Sequence, residues 1–305
     1  MPKRYKVLIT GSSGMLGADL SSELGKYYEV YGLDISVGVD AERCLECDIT
    51  DGDKISERIS KIKPEIVVHA AAMTDVDGCE SDKEKAYKIN SEGTGNVAAA
   101  CKESGAALIY ISTDFVFDGK KSSPYVESDK PNPLSVYADS KLKGEEAVAK
   151  FLKNYFILRT GWLYGKHGKN FVDTILEKAK TGKALKVVDD QIGSPTYTKD
   201  LAKAIRVLID QEYSNQVRSV RLTTRSNLVR IYHVSNSGSV SWYEYAKEIL
   251  RLAGSGAEVV PISSGELNRP ARRPAMSVLD NSKFIRFTGY KMRNWKDALK
   301  EYIGG

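Results

Sequence analysis

The sequence has few cysteines, few prolines and no long hydrophobic run, and each shortage excludes a class of protein. Four cysteines among 305 residues are too few for a disulfide-built scaffold. With 9 prolines, 25 glycines and 28% charged residues, the chain is not collagen-like, coiled-coil or disordered. No stretch approaches the ~18 apolar residues of a membrane helix, and the apolar run after residue 4 is too short for a signal peptide. We therefore predict a soluble, cytoplasmic, globular protein.

Two of the cysteines, Cys44 and Cys47, have the spacing of a zinc or redox pair. The sequence contains no second such pair and no His-x-x-x-His segment, and Cys79 and Cys101 are scattered. We therefore predict an ordinary strand around Cys44 and no metal site.

Basic residues are concentrated in the last third of the chain. From Gln216 to Gly305 there are 15 Lys and Arg against 7 Asp and Glu, although the net charge of the whole chain is only +5. This excess indicates an anionic partner, either a phosphate-bearing small molecule or a nucleic acid, with a solvated basic face as the alternative. No nucleic-acid recognition motif is present. The compact cluster around Arg272 and Arg273 suits one diphosphate, because a planar guanidinium matches phosphate oxygens.

The N-terminal half alternates β-rich runs with helical patterns, at a spacing that leaves room for crossover helices. This order predicts an α/β fold with a doubly wound parallel sheet of the Rossmann type. The predicted strands are 5–10, 29–33, 65–70, 107–112 and 155–159, and the predicted helices are 15–27, 53–62, 82–104 and 135–152. Later in the chain we predict helices 171–181, 198–211, 241–253 and 295–303, and strands 185–188 and 230–235.

A glycine-rich loop follows the first predicted strand and opens a helix. Gly11, Gly14 and Gly17 let the backbone turn tightly and approach a pyrophosphate, which the N–H groups of the helix N-terminus would bind. Asp34, at the end of the second strand, can accept hydrogen bonds from the adenosine ribose and disfavours a 2′-phosphate. The pattern predicts a dinucleotide site. The alternative for the loop is a plain β–α turn. The alternative for Asp34 is a turn residue or a helix cap.

Tyr137 and Lys141 lie one turn apart on one face of a predicted helix. An ammonium beside a phenol lowers the phenol pKa towards the working range of an acid–base catalyst, and it can also hold a ribose. The preceding predicted strand leads into Ser112-Thr113-Asp114, where a hydroxyl can polarise a carbonyl outside the C-terminal edge of the sheet. A Tyr-x-x-x-Lys spacing is common on surface helices, but its position after this strand indicates a catalytic pair.

Together these elements resemble the extended short-chain dehydrogenases/reductases and, within them, the dTDP-4-dehydrorhamnose reductase family. The matching stretches follow one another in family order and include the glycine loop, 70–77, 112–119, 125–133, 137–145, 159–162 with 170–171, 190–196 and 271–280. The resemblance implies an NAD(P)-binding Rossmann domain over residues 1–165 and a smaller, mainly substrate-binding α/β domain over 166–305. Segments around 185–235 are expected to return to the first sheet.

The family resemblance also implies a reaction and a set of site residues. NADH or NADPH would reduce the C4 keto group of dTDP-4-dehydro-L-rhamnose to give dTDP-L-rhamnose, with Tyr137 as proton donor beside Lys141 and Thr113. The implied cofactor contacts are Gly11, Gly14, Met15, Leu16, Gly17, Asp34, Asp48, Ile49, Ala71, Ala72, Thr74, Tyr137 and Lys141. The implied or inferred substrate contacts are Thr113, Asp114, Trp162, Asn170, Arg272 and Arg273. The expected partner is the dTDP-sugar, without nucleic acid or membrane, and a homodimer is compatible.

Two other functions remain open from the sequence. The first is a sugar-nucleotide dehydratase, epimerase or other reductase of the same superfamily. Dehydratases typically follow the hydroxyl residue with an Asp-Glu pair, whereas Asp114 is followed by Phe115 here, which favours plain reduction. The second is a non-catalytic regulatory subunit resembling the methionine adenosyltransferase beta subunit. The presence of Thr113, Tyr137 and Lys141 favours an enzyme over that alternative.

Overall fold

The fold is described from a computed structural model, in which residues 5–36, 43–217 and 230–305 are described. Three basic residues of the C-terminal excess, Arg218, Arg221 and Arg225, lie outside these ranges. Within the described ranges, no helix is both long enough and apolar enough to cross a membrane.

The strands of the described residues build one large sheet and three small two-stranded pairings. In chain order they are β1 (Lys6–Thr10), β2 (Glu29–Asp34), β3 (Cys44–Glu46), β4 (Ile66–His69), β5 (Ala107–Thr113), β6 (Tyr155–Thr160), β7 (Leu163–Tyr164), β8 (Leu185–Val188), β9 (Ile192–Gly193), β10 (Thr196–Tyr197), β11 (Ile231–His233), β12 (Val240–Ser241) and β13 (Val259–Ile262). The large sheet has the order β11–β6–β5–β4–β1–β2–β3, and all its pairings are parallel. The predicted Rossmann-type sheet is confirmed, and Cys44 begins a strand.

Helices cover both faces of this sheet, as its buried, apolar strands require. The α-helices of the described residues are α1 (Met15–Leu24), α2 (Gly52–Ile62), α3 (Val76–Ser81), α4 (Lys83–Tyr87), α5 (Thr94–Ser104), α6 (Val136–Phe151), α7 (Phe171–Ala179), α8 (Thr198–Val217), α9 (Trp242–Leu252), α10 (Ser264–Leu267), α11 (Ser282–Thr288) and α12 (Trp295–Gly304). Apolar residues of α1, α8 and α11 fill one face, and those of α2, α5 and α6 fill the other. The carboxyl ends of the strands are thereby left as the open edge.

The helix predicted over 82–104 is confirmed over residues 83–104, with one irregular turn. The structure has α4, then a π-helical turn over Lys88–Gly93, and then α5. The buried side chain of Asn90 lies in this turn, where its Oδ1 accepts the Met73 N–H at 2.8 Å and its Nδ2 donates to the Met73 carbonyl at 3.0 Å. The turn therefore fastens this helical stretch to the loop after β4, a constraint that helical periodicity cannot reveal.

The second half of the chain divides between two cores. β11 is an edge strand of the large sheet, and α8 and α11 pack against that sheet, whereas β8 pairs with β13 beside α7, α9 and α12. The segment around 185–235 thus contributes to both. The division into two domains at residue 165 stays a prediction.

Candidate active site

The loop between β1 and α1 has the close backbone packing that its glycines predict. Gly11 has a φ of +71°, and a Cβ there would lie 2.7 Å from the Ala71 nitrogen. A Cβ on Gly17 would lie 2.0 Å from the Gly11 carbonyl oxygen. Gly14 precedes α1 and, within the described chain, no side chain caps that helix, so its first amides are open to an anion. These features fit the pyrophosphate of a dinucleotide.

The other expected cofactor residues follow the neighbouring strands. Asp34 ends β2, where its carboxylate accepts the Ser13 N–H at 2.9 Å and the Ser36 N–H at 3.2 Å. Asp34 is therefore a turn residue that also lies beside the glycine loop. Exposed Asp48 and buried Ile49 follow β3, and Ala71, Ala72 and Thr74 follow β4. The structure thus brings all these positions to one edge of the sheet.

The expected catalytic residues meet at the end of β5. The Thr113 hydroxyl lies near the Tyr137 phenol and donates to Asp114 Oδ1 at 3.2 Å, and the Phe115 ring lies edge-on to Tyr137 with centroids 6.2 Å apart. Lys141 is buried, donates from Nζ to the Ile111 carbonyl at 2.8 Å and lies 4.2 Å from the centroid of the Tyr110 ring. The predicted group of hydroxyl, phenol and ammonium is therefore assembled beside the sheet edge.

The expectation that Lys141 lowers the phenol pKa is wrong for this unliganded arrangement. Burial raises the pKa of Tyr137, and the nearby Asp114 charge raises it further. Burial also lowers the pKa of Lys141 to about 7, although the Glu145 charge opposes this. Desolvation therefore dominates both groups, and the Lys141 ammonium is bonded to a backbone carbonyl. A phenol with a raised pKa keeps its proton, as a proton donor must.

Asp114 is buried against the backbone beside this group. Burial raises its carboxyl pKa to about 7, while hydrogen bonds from Ser277 and Thr113 act in the opposite direction. A Cβ on Gly161 would lie 2.4 Å from the Asp114 carboxyl carbon, so only glycine fits opposite it. Through Ser277, Asp114 connects the end of β5 with the C-terminal segment that carries the basic cluster.

Two expected substrate residues have different surroundings. Trp162 is partly exposed, has a φ of +51° that is unusual for a bulky residue, and stacks on Trp242 with centroids 3.4 Å apart. Such backbone strain is typical of functional positions. Asn170 is buried and caps α7, and its amide donates to Gly165 at 3.0 Å among other partners. Because these bonds occupy its amide, Asn170 is not among our proposed substrate contacts.

The two arginines expected to bind a diphosphate also differ. Arg273 forms a two-point ion pair with Asp77, at 3.1 and 2.9 Å. Arg272 is exposed and has no ion-pair partner among the residues that the structure describes. Arg273 thus has an intramolecular partner, whereas Arg272 has none within the described ranges, and the diphosphate contact of either residue stays a prediction.

No three or more His, Cys, Asp and Glu residues gather as a possible metal site in the described ranges. Cys44 is partly exposed, with its Sγ 3.8 Å from the Ser12 hydroxyl, and Cys47 is buried.

A family model described as the RmlD substrate binding domain matches residues 5–304 of the chain. The chain belongs to this family. The spore coat polysaccharide biosynthesis protein SpsK of Bacillus subtilis (strain 168) is 40% identical over 299 residues, covering 98% of this chain and 96% of that protein. The dTDP-4-dehydrorhamnose reductase of Aggregatibacter actinomycetemcomitans is 38% identical over 303 residues, covering 97% of each.

A solved structure has the same overall fold. The dTDP-4-dehydrorhamnose reductase of Bacillus anthracis str. Ames, in complex with NADP, is 38% identical and superposes with a TM-score of 0.86 over 98% of each chain. The predicted relation to the dTDP-4-dehydrorhamnose reductases is confirmed, and with it the class of sugar-nucleotide oxidoreductases.

Between α6 and β6, this member of the RmlD family has a buried ion pair that the sequence did not predict. Arg159 of β6 donates from Nε and Nη2 to the two carboxylate oxygens of Glu145 on α6, at 2.9 and 2.7 Å. Ser112 donates to the same carboxylate at 2.6 Å. Both residues lie within the stretches that match the dTDP-4-dehydrorhamnose reductase family. Residue type and spacing alone nevertheless predict only a helix residue and a strand residue. Their pairing fixes α6, and hence Tyr137, against β5 and β6.

Adding one methyl group to the glycine loop is expected to weaken cofactor binding. In Gly17→Ala the new Cβ must displace the Gly11 carbonyl, which moves the loop that would hold the pyrophosphate. We expect the Kd for NADH to rise about tenfold to a hundredfold, as for a displacement of about 1 Å at a positioned site. Gly256→Ala is the matched control, since no described heavy atom would lie within 4 Å of its Cβ. An unchanged Kd in Gly17→Ala would contradict the loop assignment.

The buried ammonium of Lys141 should make stability depend on pH. The folded protein releases this proton near pH 7, whereas the ordinary pKa of a lysine side chain is 10.5, so between these values the unfolded chain binds more protons. The free energy of unfolding therefore rises with pH there, by at most about 1.4 kcal/mol per unit. Lys141→Met removes this contribution. Denaturant titrations at several pH values should show the stability of the variant relative to the wild type falling from pH 7 to 10; a constant difference would contradict the burial.

Proposed function

We propose that the chain reduces the C4 keto group of dTDP-4-dehydro-L-rhamnose to the alcohol, giving dTDP-L-rhamnose, with NADH or NADPH. The juxtaposition of the Thr113 hydroxyl and the Tyr137 phenol at the open edge of the sheet carries this proposal. The glycine loop lies at the same edge, and relatives of similar length are named for this reaction.

The chain's own residues would supply positioning and a proton. The bound nicotinamide supplies the hydride. Tyr137, whose pKa is raised by burial, keeps its proton and donates it to the oxygen that gains negative charge. The Thr113 hydroxyl lies near that phenol and would donate to the same oxygen. Lys141, held on the Ile111 carbonyl, lies on the same helical face and would orient a ribose.

The substrate side of the proposal involves three elements. Asp114, at the end of β5, would contact the sugar hydroxyls, and its pKa near 7 lets it donate or accept a hydrogen bond there. Trp162 would contact the sugar from the loop that follows β6. Exposed Arg272 would contact the diphosphate.

Turnover with the defined substrate tests the proposal. The protein is mixed with dTDP-4-dehydro-L-rhamnose and either NADH or NADPH, and loss of the reduced nicotinamide absorbance is followed while the product is identified by NMR. We expect stoichiometric oxidation of one reduced cofactor and formation of dTDP-L-rhamnose. Asp34 beside the glycine loop favours NADH, because its carboxylate repels a 2′-phosphate. Absence of oxidation with either cofactor would support a non-catalytic role, and a sugar isomer formed without net oxidation would support an epimerase.

A further inference from the structure

One carboxylate holds the basic cluster in place. Asp77 accepts the Ala271 backbone N–H at 3.1 Å, Arg269 Nη1 at 2.9 Å, and two guanidinium nitrogens of Arg273 at 3.1 and 2.9 Å. These partners lower the Asp77 pKa to about 2. The side chains of Asp77 and Arg273 are only 19% and 18% exposed. Charge-assisted bonds of this kind, partly withdrawn from water, are stronger than surface ion pairs.

This carboxylate connects two parts of the site that are far apart in sequence. Asp77 lies in the first turn of α3, directly after the loop that carries Ala71, Ala72 and Thr74. Its partners lie in residues 269–273, which we name the arginine arm. Because the Ala271 N–H is one of those partners, the contact fixes the main chain of the arm as well as its side chains.

Arg272 and Arg273, which are consecutive in the arginine arm, have different surroundings and therefore different roles. Arg273 precedes Pro274, which disfavours a helical backbone at Arg273. Its guanidinium donates to Asp77 and also to the Ala271 carbonyl at 2.8 Å, so three of its five N–H donors are used within the protein. If a diphosphate took Arg273, the Asp77 carboxylate would lose its main partner in a partly buried position. Arg272 is exposed, and a diphosphate that bound it would take no partner away from Asp77.

We infer that Asp77 is a positioning residue for the substrate: it anchors the arginine arm through Arg273 so that Arg272 is presented to the diphosphate of the sugar nucleotide. This inference rests on the proposed function for the identity of the ligand. Asp77 itself touches neither substrate nor cofactor. Asp77 also lies directly after the loop that carries Ala71, Ala72 and Thr74. It therefore connects the arginine arm to the part of the site that would hold the nicotinamide.

Titration of dTDP into the full-length protein tests this role without requiring turnover. In Asp77→Asn we expect the Kd for dTDP to rise about tenfold to a hundredfold, as for loss of one partner of a partly buried pair. The Kd for NADH should stay within about twofold. Arg273→Gln should lose as much dTDP affinity as Asp77→Asn, and the double variant no more than either alone, because both changes break one interaction. Asp77→Glu should recover part of the affinity.

The matched control is another carboxylate with a strongly lowered pKa. Glu301 has a pKa of about 2 because Lys199 and Arg293 bind it, and these residues lie apart from the arginine arm. Glu301→Gln should leave dTDP binding unchanged. If Asp77→Asn does not fold, Arg269→Gln tests the same carboxylate from its more exposed side and should weaken dTDP binding to a smaller extent.

Several results would overturn the positioning role. Tighter dTDP binding in Asp77→Asn would mean that Asp77 competes with the diphosphate for Arg273. Unchanged binding would mean that the contact has no role, and equal losses of dTDP and NADH would indicate general structural damage. If the wild-type protein binds dTDP and the variants follow the expected pattern without any reduction, the proposed function fails and the positioning role stands. A wild-type protein that does not bind dTDP overturns both.

Discussion

Replacing Tyr137 with phenylalanine is expected to lower kcat by about 10²–10⁴-fold, the usual contribution of a positioned general acid. The substitution removes the hydroxyl near Thr113 and leaves the ring that packs edge-on against Phe115. The Kd for NADH should therefore change little. Steady-state kinetics with the proposed sugar nucleotide, together with a direct NADH titration, separates these two effects.

A second tyrosine serves as the control for this substitution. Tyr87 donates its phenol proton to Asp139 of α6 at 2.6 Å, and this carboxylate, together with burial, raises the Tyr87 pKa to about 12. Tyr87→Phe thus removes a bonded phenol that contacts the same helix outside the catalytic group, and we expect kcat within about threefold of the wild type, the change that loss of one weak hydrogen bond allows. Equal kcat in Tyr137→Phe and the wild type would remove Tyr137 from the chemistry.

The second large effect concerns stability. Glu145→Gln leaves the Arg159 guanidinium buried without a counter-charge, and we expect the free energy of unfolding to fall by about 3–5 kcal/mol. The two side chains are 5% and 2% exposed, so water cannot replace the lost partner. Chemical denaturation followed by tryptophan fluorescence measures the change.

The neighbouring glutamate provides a matched comparison on the same helix. Glu146 pairs with Lys143 at 3.1 Å, but these side chains are 58% and 48% exposed. Glu146→Gln should therefore change the free energy of unfolding by no more than about 1 kcal/mol. Similar losses in the two variants would show that burial of the Glu145–Arg159 pair does not determine its contribution.

The sequence allowed the large sheet to be predicted because its strands are short apolar runs separated by amphipathic helices. The phosphate loop was predictable for a related reason, since glycine spacing after a strand has a direct backbone consequence. The two-residue strands β7, β9, β10 and β12 were missed, because two residues show no periodicity. The π-helical turn within the predicted helix 82–104 contains Asn90, whose bonds to a distant loop are not encoded in local patterns.

The candidate site shows the same limit. Tyr137, Lys141 and Thr113 could be selected because their types and spacing suggest chemistry, but the direction of the Tyr137 pKa depends on burial. The different tasks of Arg272 and Arg273 depend on Asp77, which lies far away in sequence. By charge alone, the two arginines are equivalent candidates for binding a diphosphate. The contact between Arg273 and Asp77 is what distinguishes them.

The transfer of deuterium from the cofactor to the sugar tests the central claim most directly. Reduced nicotinamide dinucleotide that carries deuterium at C4 on both faces is incubated with the protein and dTDP-4-dehydro-L-rhamnose, and the product is analysed by NMR. If the chain reduces the C4 keto group, one deuterium appears at C4 of dTDP-L-rhamnose. Deuterium absent from C4, or solvent hydrogen found there instead, would contradict direct hydride transfer to this carbon.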